Sequence, residues 1–314
     1  MTFFRQDEQL EHIATAILET TWEKYPELVR DRTALTWIVY DPPYIVNTGG
    51  AISAEEFWKY PIRGYSYRGM NRIYPASIVK LFYLVAIHEW LEGGMIPESE
   101  ELHRAIRDAI VDSSNDATSL VLDVLTGTTS GPELPPGPFE TWKSQRNIVN
   151  RYFQSLGWEE FKTINVNQKP WSDGPYGRER AFLGEMMENR NMLTTNAVAR
   201  LLHTIIGGIA VSSARSQQMM ELLKRSLNPT DLVLAINDDE NQVTGFLGEG
   251  LPEDAKLWSK AGWTSQVRHD AAYIEIPDRK PYLLIVFTEG KASENRREIL
   301  PFISRSLASA MENV

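Results

Sequence analysis

The chain has 314 residues, 42% of them hydrophobic, and its nine Trp, twelve Tyr and eleven Phe supply enough buried surface to exclude a disordered chain. A formal net charge of −10 argues against nucleic acid as a partner, and the absence of cysteine excludes disulfides, thiol nucleophiles and thiolate metal sites. The five histidines show no H-x-H or H-E-x-x-H spacing and no glycine-rich phosphate loop occurs, so neither a metal nor another cofactor is expected.

Residues 7–23 place Leu10, Ile13, Ile17, Leu18 and Trp22 on one stripe, the pattern of a helix. Residues 34–41 read as a strand closed by Asp41-Pro42-Pro43. Helices are expected over 76–92, 99–111, 115–125, 145–156, 194–206 and 213–225. Between them, 127–139 (GTTSGPELPPGPF) reads as a Pro/Gly-rich surface loop and 165–192 as a long loop folded against the body. Strands over 270–276 and 281–288 flank a Pro277-Asp278-Arg279-Lys280 turn, and a last helix over 291–312 presents Ile299, Phe302, Ile303 and Leu307 on one side.

Strands thus gather at the two chain ends and helices in the middle. The expected fold is α/β (α+β): an antiparallel sheet flanked by N- and C-terminal helices, plus an all-helical subdomain, with an active site in the cleft between them. In this reading 1–314 is a single domain, its sheet part about 1–75 and 226–314 and its helical part about 76–225. No run of about 18 apolar residues occurs, so no membrane span is expected. The N-terminus turns acidic at once and lacks a charged leader with an apolar stretch. A cytoplasmic location follows, or a periplasmic or secreted one if a leader was removed.

Three segments carry chemistry. In Tyr74-Pro75-Ala76-Ser77-Ile78-Val79-Lys80, positions i and i+3 share one helix face, so the Lys80 amine can reach the Ser77 hydroxyl. The positive end of the helix favours alkoxide character on Ser77, and burial would push Lys80 toward the neutral form that a base requires. An N-terminal serine followed by a surface lysine is the plain alternative. Asp112-Ser113-Ser114-Asn115-Asp116 reads either as an N-cap cluster or as a turn projecting Ser113 and Asn115 into one cleft. In Trp258-Ser259-Lys260-Ala261-Gly262-Trp263, a glycine lets a substrate backbone approach, and Lys260 is either an electropositive wall or an ordinary edge-strand lysine.

In the order S-x-x-K, S-x-N, K-x-G, the chain resembles the class A β-lactamases and penicillin-binding proteins. The surroundings strengthen the likeness. Ser113 to Leu120 (SSNDATSL) resembles the family's S-D-N-T-A-T-N-L, Asn191 to Ala197 (NMLTTNA) resembles D-T-T-T-P-x-A, and Arg268-His269-Asp270-Ala271-Ala272 resembles the strand after K-T-G. The resemblance spans roughly residues 34–310 and implies a serine hydrolase acting through an acyl-enzyme on a small β-lactam or D-Ala-D-Ala-like substrate. It implies Ser77 as nucleophile and Lys80 as base or relay. Ser113 with Lys260 would carry the proton to the leaving nitrogen. Asn115 would bond the substrate amide, and the N–H groups of Ser77 and Trp263, beside Gly262, would hold the oxyanion. Arg268 is a candidate second anchor for the substrate carboxylate, with salt-bridge duty toward Asp270 or Glu275 as the competing role.

The sequence also departs from that pattern. Ser114 stands where an aspartate is usual and Ala261 where a hydroxyl is usual; the first two motifs lie closer together than usual and the last two farther apart. The glutamate that activates water in class A β-lactamases has no clear counterpart. Alignment by apolar pattern places Gln168 near it, and the nearest acids are Glu179, which Arg178 and Arg180 could pair, and Glu185. Acylation without efficient release, or a D-alanyl-D-alanine peptidase or esterase, therefore stands beside β-lactam hydrolysis.

Overall fold

The computed structural model describes residues 3–41, 50–60, 62–228, 230–231, 241–290 and 297–314. Among these, seven strands make one sheet: β1 (Arg5–Gln6), β2 (Thr33–Val39), β3 (Arg63–Tyr67), β4 (Lys224–Arg225), β5 (Lys256–Thr264), β6 (Val267–Glu275) and β7 (Tyr282–Glu289). Their order is β1-β3-β2-β7-β6-β5-β4. Every neighbouring pair is antiparallel except β1 with β3. The expected antiparallel sheet is therefore mixed at one edge, where the two residues of β1 lie parallel along β3 just before the first helix.

β2 shows why the sheet sits where it does. All seven of its residues are buried, as in a strand covered on both faces. Leu35, Trp37 and Val39 face the core beneath α1 (Glu8–Lys24) and α11 (Ile299–Ala310). Ala34 and Ile38 join the core of the helical side, and Thr36 between them donates to Asn196 Oδ1 (2.7 Å) at the start of α9 (Thr195–Ile206). The period of two in side-chain direction thus divides one apolar run between two cores.

The helical layer is built round α3 (Lys80–Glu92), eleven of whose 13 residues are buried. A helix apolar on all sides must be enclosed, and α3 touches α4 (Glu100–Ile110), α5 (Asn115–Thr126), α7 (Ile148–Ser155), α9 and α10 (Ser213–Leu223). A short 3₁₀ turn, Ala76–Val79, leads into it. No helix of the described residues is long and apolar enough to cross a membrane.

Three expected boundaries shift. The segment read as a surface loop over 127–139 already enters α6 (Pro136–Arg146), because Pro136 occupies the first helical turn, where its fixed φ and missing N–H cost nothing. The helix expected over 213–225 ends at Leu223, and Lys224 and Arg225 pair with Trp258 and Leu257 as β4. The long loop 165–192 contains one short helix, α8 (Gly177–Leu183). Residues 291–296 of the expected last helix lie outside the described residues. The strand β3 and the two-residue β1 were not expected, since Arg-Gly-Tyr-Ser-Tyr carries no aliphatic run.

Candidate active site

Ser77 lies in the 3₁₀ turn ahead of α3, half-buried, on the wall of a cleft of about 650 Å³. Ser113, Asn115, Trp171, Ser172 and Trp263 share that wall. Ala76, immediately before Ser77, has φ +46°, a conformation that costs an L-residue energy and persists only where its surroundings enforce it. Lys80, the first residue of α3, is 1% exposed. Burial pulls its amine down to about 7. Its Nζ donates to the Ser113 carbonyl and to Asn115 Oδ1 (3.0 Å), and lies 3.2 Å from Ser113 Oγ. A neutral amine has two N–H groups for the two obligate acceptors, which leaves its lone pair for a hydroxyl proton.

Ser114 resolves the ambiguity of the second motif. It is the N-cap of α5, its Oγ accepting from Ala117 N (3.2 Å), so the capping role falls to it and not to its neighbours. Ser113, with φ +56°, turns the chain just before the cap. Its Oγ lies between Lys80 and Lys260, whose Nζ is 2.9 Å away. Asn115 spans the gap to the long loop, donating to Ser172 Oγ at 3.2 Å.

Lys260 is fully buried in β5, and burial, aided by the charges of Lys80 and Arg225, holds its amine well below the usual lysine range. It donates to Gln242 Oε1 (2.5 Å) and to the Ala261 carbonyl (2.9 Å). Gln242 also accepts from Ala261 N (3.1 Å), and its Nε2 donates to the carbonyls of Ile110 (3.0 Å) and Val111 (2.8 Å). Arg225 makes a second bridge, from Ser259 O (3.0 Å) to Ile110 O (2.9 Å). These two side chains tie the Lys260 strand to the end of α4, directly ahead of Ser113. Neither belongs to a motif, and neither carries a signal in its own neighbourhood of the sequence.

Because Ala261 N donates to Gln242 and not to β6, alternate N–H groups of this strand, Trp263 among them, face its free edge. That edge packs on the Ser77 turn. A Cβ built on Gly262 would lie 2.8 Å from Pro75 O, 2.9 Å from Ser77 N and 3.0 Å from Ile78 N. His269 backs the same turn. Its Nδ1 accepts from Thr288 N (3.1 Å), so Nε2 carries the proton donated to Tyr74 O (2.9 Å), and burial keeps the ring neutral down to about pH 4.

Three further candidates lie elsewhere. Arg268 is buried beneath the 245–246 turn, its Nε donating to Gly245 O (2.8 Å) and its guanidinium over the Phe246 ring (4.0 Å), and it does not line the cleft. Glu179 is fully buried and held by Arg146 (2.7 Å) and Ser130 (2.8 Å), so its partner is a residue of α6 and neither Arg178 nor Arg180. Gln168 is buried and does not line the cleft, its backbone N bonded to Asn191 Oδ1 (2.9 Å) and its carbonyl to Tyr83 OH (2.7 Å). The carboxylates among the described residues lining the cleft are Asp112 and Asp116, and Arg107 pairs Asp112 at 3.3 Å.

A family model described as the beta-lactamase enzyme family matches residues 97–311. The chain belongs to that family. The matched span contains the second and third motifs and begins after Ser77 and Lys80. Among solved structures, a point mutant of PBP-A in an acyl-enzyme complex with penicillin G is 17% identical, covering 99% of this chain and 98% of that one with a TM-score of 0.64. A β-lactamase from Sphaerobacter thermophilus DSM 20745 is 17% identical over 96% of this chain and 97% of its own, with a TM-score of 0.62. A β-lactamase from Xanthomonas campestris pv. campestris str. ATCC 33913 is 17% identical over 95% and 98%, with a TM-score of 0.59. At such identities the likeness establishes the fold. No curated protein matches the chain. The fold of the family is thus that of this chain, an α/β sheet layer joined to a helical layer.

Proposed function

We propose that this member of the family is a serine acyltransferring hydrolase that forms a long-lived acyl-enzyme on Ser77 with β-lactams or with peptide-like amides of D-Ala-D-Ala type. The observation that carries the reading is the position of Ser113 Oγ between Lys80 and Lys260, in the cleft that Ser77 lines. Neutral Lys80 takes the Ser77 proton as Oγ bonds to the substrate carbonyl carbon. The oxyanion is met by the N–H groups of Ser77 and Trp263. As the C–N bond breaks, the proton passes through Ser113 to the leaving nitrogen, and Lys260, whose Nζ lies 2.9 Å from Ser113 Oγ, orients that relay. Thr264 and Ser265 on the cleft wall offer hydroxyls in place of the one that Ala261 lacks.

Slow release is the reading favoured for the second half-reaction. Deacylation needs a carboxylate poised on a water, and Glu179 is committed to Arg146 while Gln168 is neutral and does not line the cleft. Of the cleft's own carboxylates, Asp112 is paired by Arg107 and Asp116 is exposed in the first turn of α5. The test is intact mass spectrometry after mixing with benzylpenicillin, alongside a turnover assay. One lactam per chain should add and persist, and Ser77→Ala should add none. Absence of any adduct together with absence of turnover rejects the lactam-directed reading. Rapid turnover without accumulation replaces slow release by β-lactamase activity.

Gly262→Ala tests the oxyanion site in the same assay. All three atoms that its methyl group would meet are backbone atoms of the Ser77 turn, so strand and turn must part. Loss of oxyanion geometry is expected to slow acylation roughly 10²–10³-fold. Acylation of a folded Gly262→Ala protein at the wild-type rate would remove Trp263 from the oxyanion role.

A further inference from the structure

Next to the cleft is a smaller pocket of about 200 Å³, and Trp171 forms part of both walls. Tyr74, three residues before Ser77, lines it together with Gln168, Arg180, Arg190 and Asn191. No aspartate or glutamate is among its lining residues. Arg190 stacks on the Tyr74 ring at 3.6 Å, which leaves the in-plane N–H edges of the guanidinium open, and among the described residues its Nη1 reaches only Met187 Sδ at 3.9 Å. Arg180 has no ion-pair partner among the described residues.

Two neutral donors add to these cations. Trp171 Nε1 and Gln168 Nε2 are buried without a hydrogen-bond partner among the described residues. Buried donors of that kind are uncommon in folded proteins and each asks for an acceptor. The pocket's own acceptors are largely committed. Asn191 Oδ1 takes the backbone N–H groups of Asn167 and Gln168 (both 2.9 Å), and the Gln168 carbonyl takes Tyr83 OH and Asn191 Nδ2 (2.8 Å). Lys169, also on the wall, is neutralised by Asp123 (2.7 Å). A pocket with two guanidinium groups that have no carboxylate partner among the described residues, and with no carboxylate in its own lining, is complementary to an anion. Its volume suits a carboxylate with a few methylenes and excludes a second whole substrate.

We infer that this pocket is a subsite for a carboxylate carried on the acyl side of the substrate, several bonds from the carbonyl that Ser77 attacks. The direction rests on the acylation reading above, in which Asn115 bonds the acyl-side amide. Asn115 Nδ2 contacts Ser172, the neighbour of Trp171, so an acyl chain leaving that amide runs toward the wall shared with the pocket. The leaving group departs toward Ser113 and Lys260.

Two cephalosporins that differ only at the end of the acyl chain test the subsite: glutaryl-7-aminocephalosporanic acid and its side-chain methyl ester. Acylation rates are read by intact mass. The acid should react roughly ten- to a hundredfold faster than the ester, the range expected for charge-assisted hydrogen bonds. Arg180→Gln, at an exposed helix position, and Arg190→Gln should bring the ratio toward one and leave the ester rate unchanged. Equal rates for acid and ester on the wild-type protein overturn the subsite while leaving acylation by Ser77 intact. If neither compound acylates, the acylation reading fails by itself, and calorimetric titration with free glutarate decides the pocket separately. Glutarate binding that is lost in Arg180→Gln upholds an anion site, and no binding to the wild-type protein rejects it.

Discussion

Lys80→Met should slow acylation of Ser77 by about 10²–10⁴-fold, the usual contribution of a positioned general base, and should erase the pH dependence of the reaction near neutrality. The sign follows from the state that does the work. The active form is the free amine, and burial lowers Lys80 to about 7. Acylation by the wild-type protein should therefore rise about tenfold per pH unit on the acid side and level off above about 7. Methionine keeps the unbranched stem but leaves the Ser113 carbonyl and Asn115 Oδ1 without their donor. Leaving buried acceptors unmet costs roughly 1–3 kcal/mol each, so the thermal midpoint is measured in parallel. The second lysine makes the pH limb diagnostic. Lys260 shares Ser113 Oγ, and the charge of Lys80 helps to hold it low, so removing Lys80 lets Lys260 retain its proton to higher pH. A limb that stays near 7 in Lys80→Met would mean that another group titrates, and Lys80 would lose its role as base.

Much of this arrangement was legible because its signals are local. The helix beginning at Lys80 is apolar on every side, and such a run has nowhere to go except the centre of a helical layer. Ser77 and Lys80 are one turn apart, Ser113 and Asn115 flank a cap, and Lys260 and Gly262 alternate along a strand; each motif alone left its plain alternative open, and it was their order, through the resemblance to a known family, that pointed to one site. What stayed hidden depends on distance in sequence. Gln242 and Arg225 fasten the Lys260 strand to α4 across more than a hundred residues, through single side chains with no pattern around them. β4 is only two residues long and exists because Trp258 and Leu257 offer it an edge, which is a tertiary cause. Pro136 reads as a loop former and here opens a helix, since the same fixed φ serves both. Glu179 is the clearest case. Arg178 and Arg180 adjoin it in sequence, yet α8 turns its carboxylate inward to Arg146, and a glutamate with a buried structural partner is unavailable to a water in the cleft.

That buried pair leads to the second large effect, on stability. Arg146 and Glu179 are both 0% exposed and 2.7 Å apart, with Asp123 at 3.1 Å from the guanidinium and the Trp142 ring 4.8 Å away. Glu179→Ala strands a guanidinium in the interior and is expected to cost about 3–5 kcal/mol, nearer the lower figure because Asp123 remains. The urea midpoint reads this directly, provided the slope of the transition is unchanged. Glu179→Leu combined with Arg146→Met removes both charges together and should recover most of the loss, since apolar replacements of a buried pair are often neutral. The consequence reaches the cleft through the chain itself. Lys169 is bonded to Asp123 and to Ser130, the same serine that bonds Glu179, and Trp171 and Ser172 follow two and three residues later on the cleft wall. Loosening the pair should therefore slow acylation as well as lower stability, with both restored in the double variant. A Glu179→Ala protein within about 0.5 kcal/mol of wild type, the range of an ordinary surface substitution, would show that the loop is held by its backbone bonds to Asn191 and not by this ion pair.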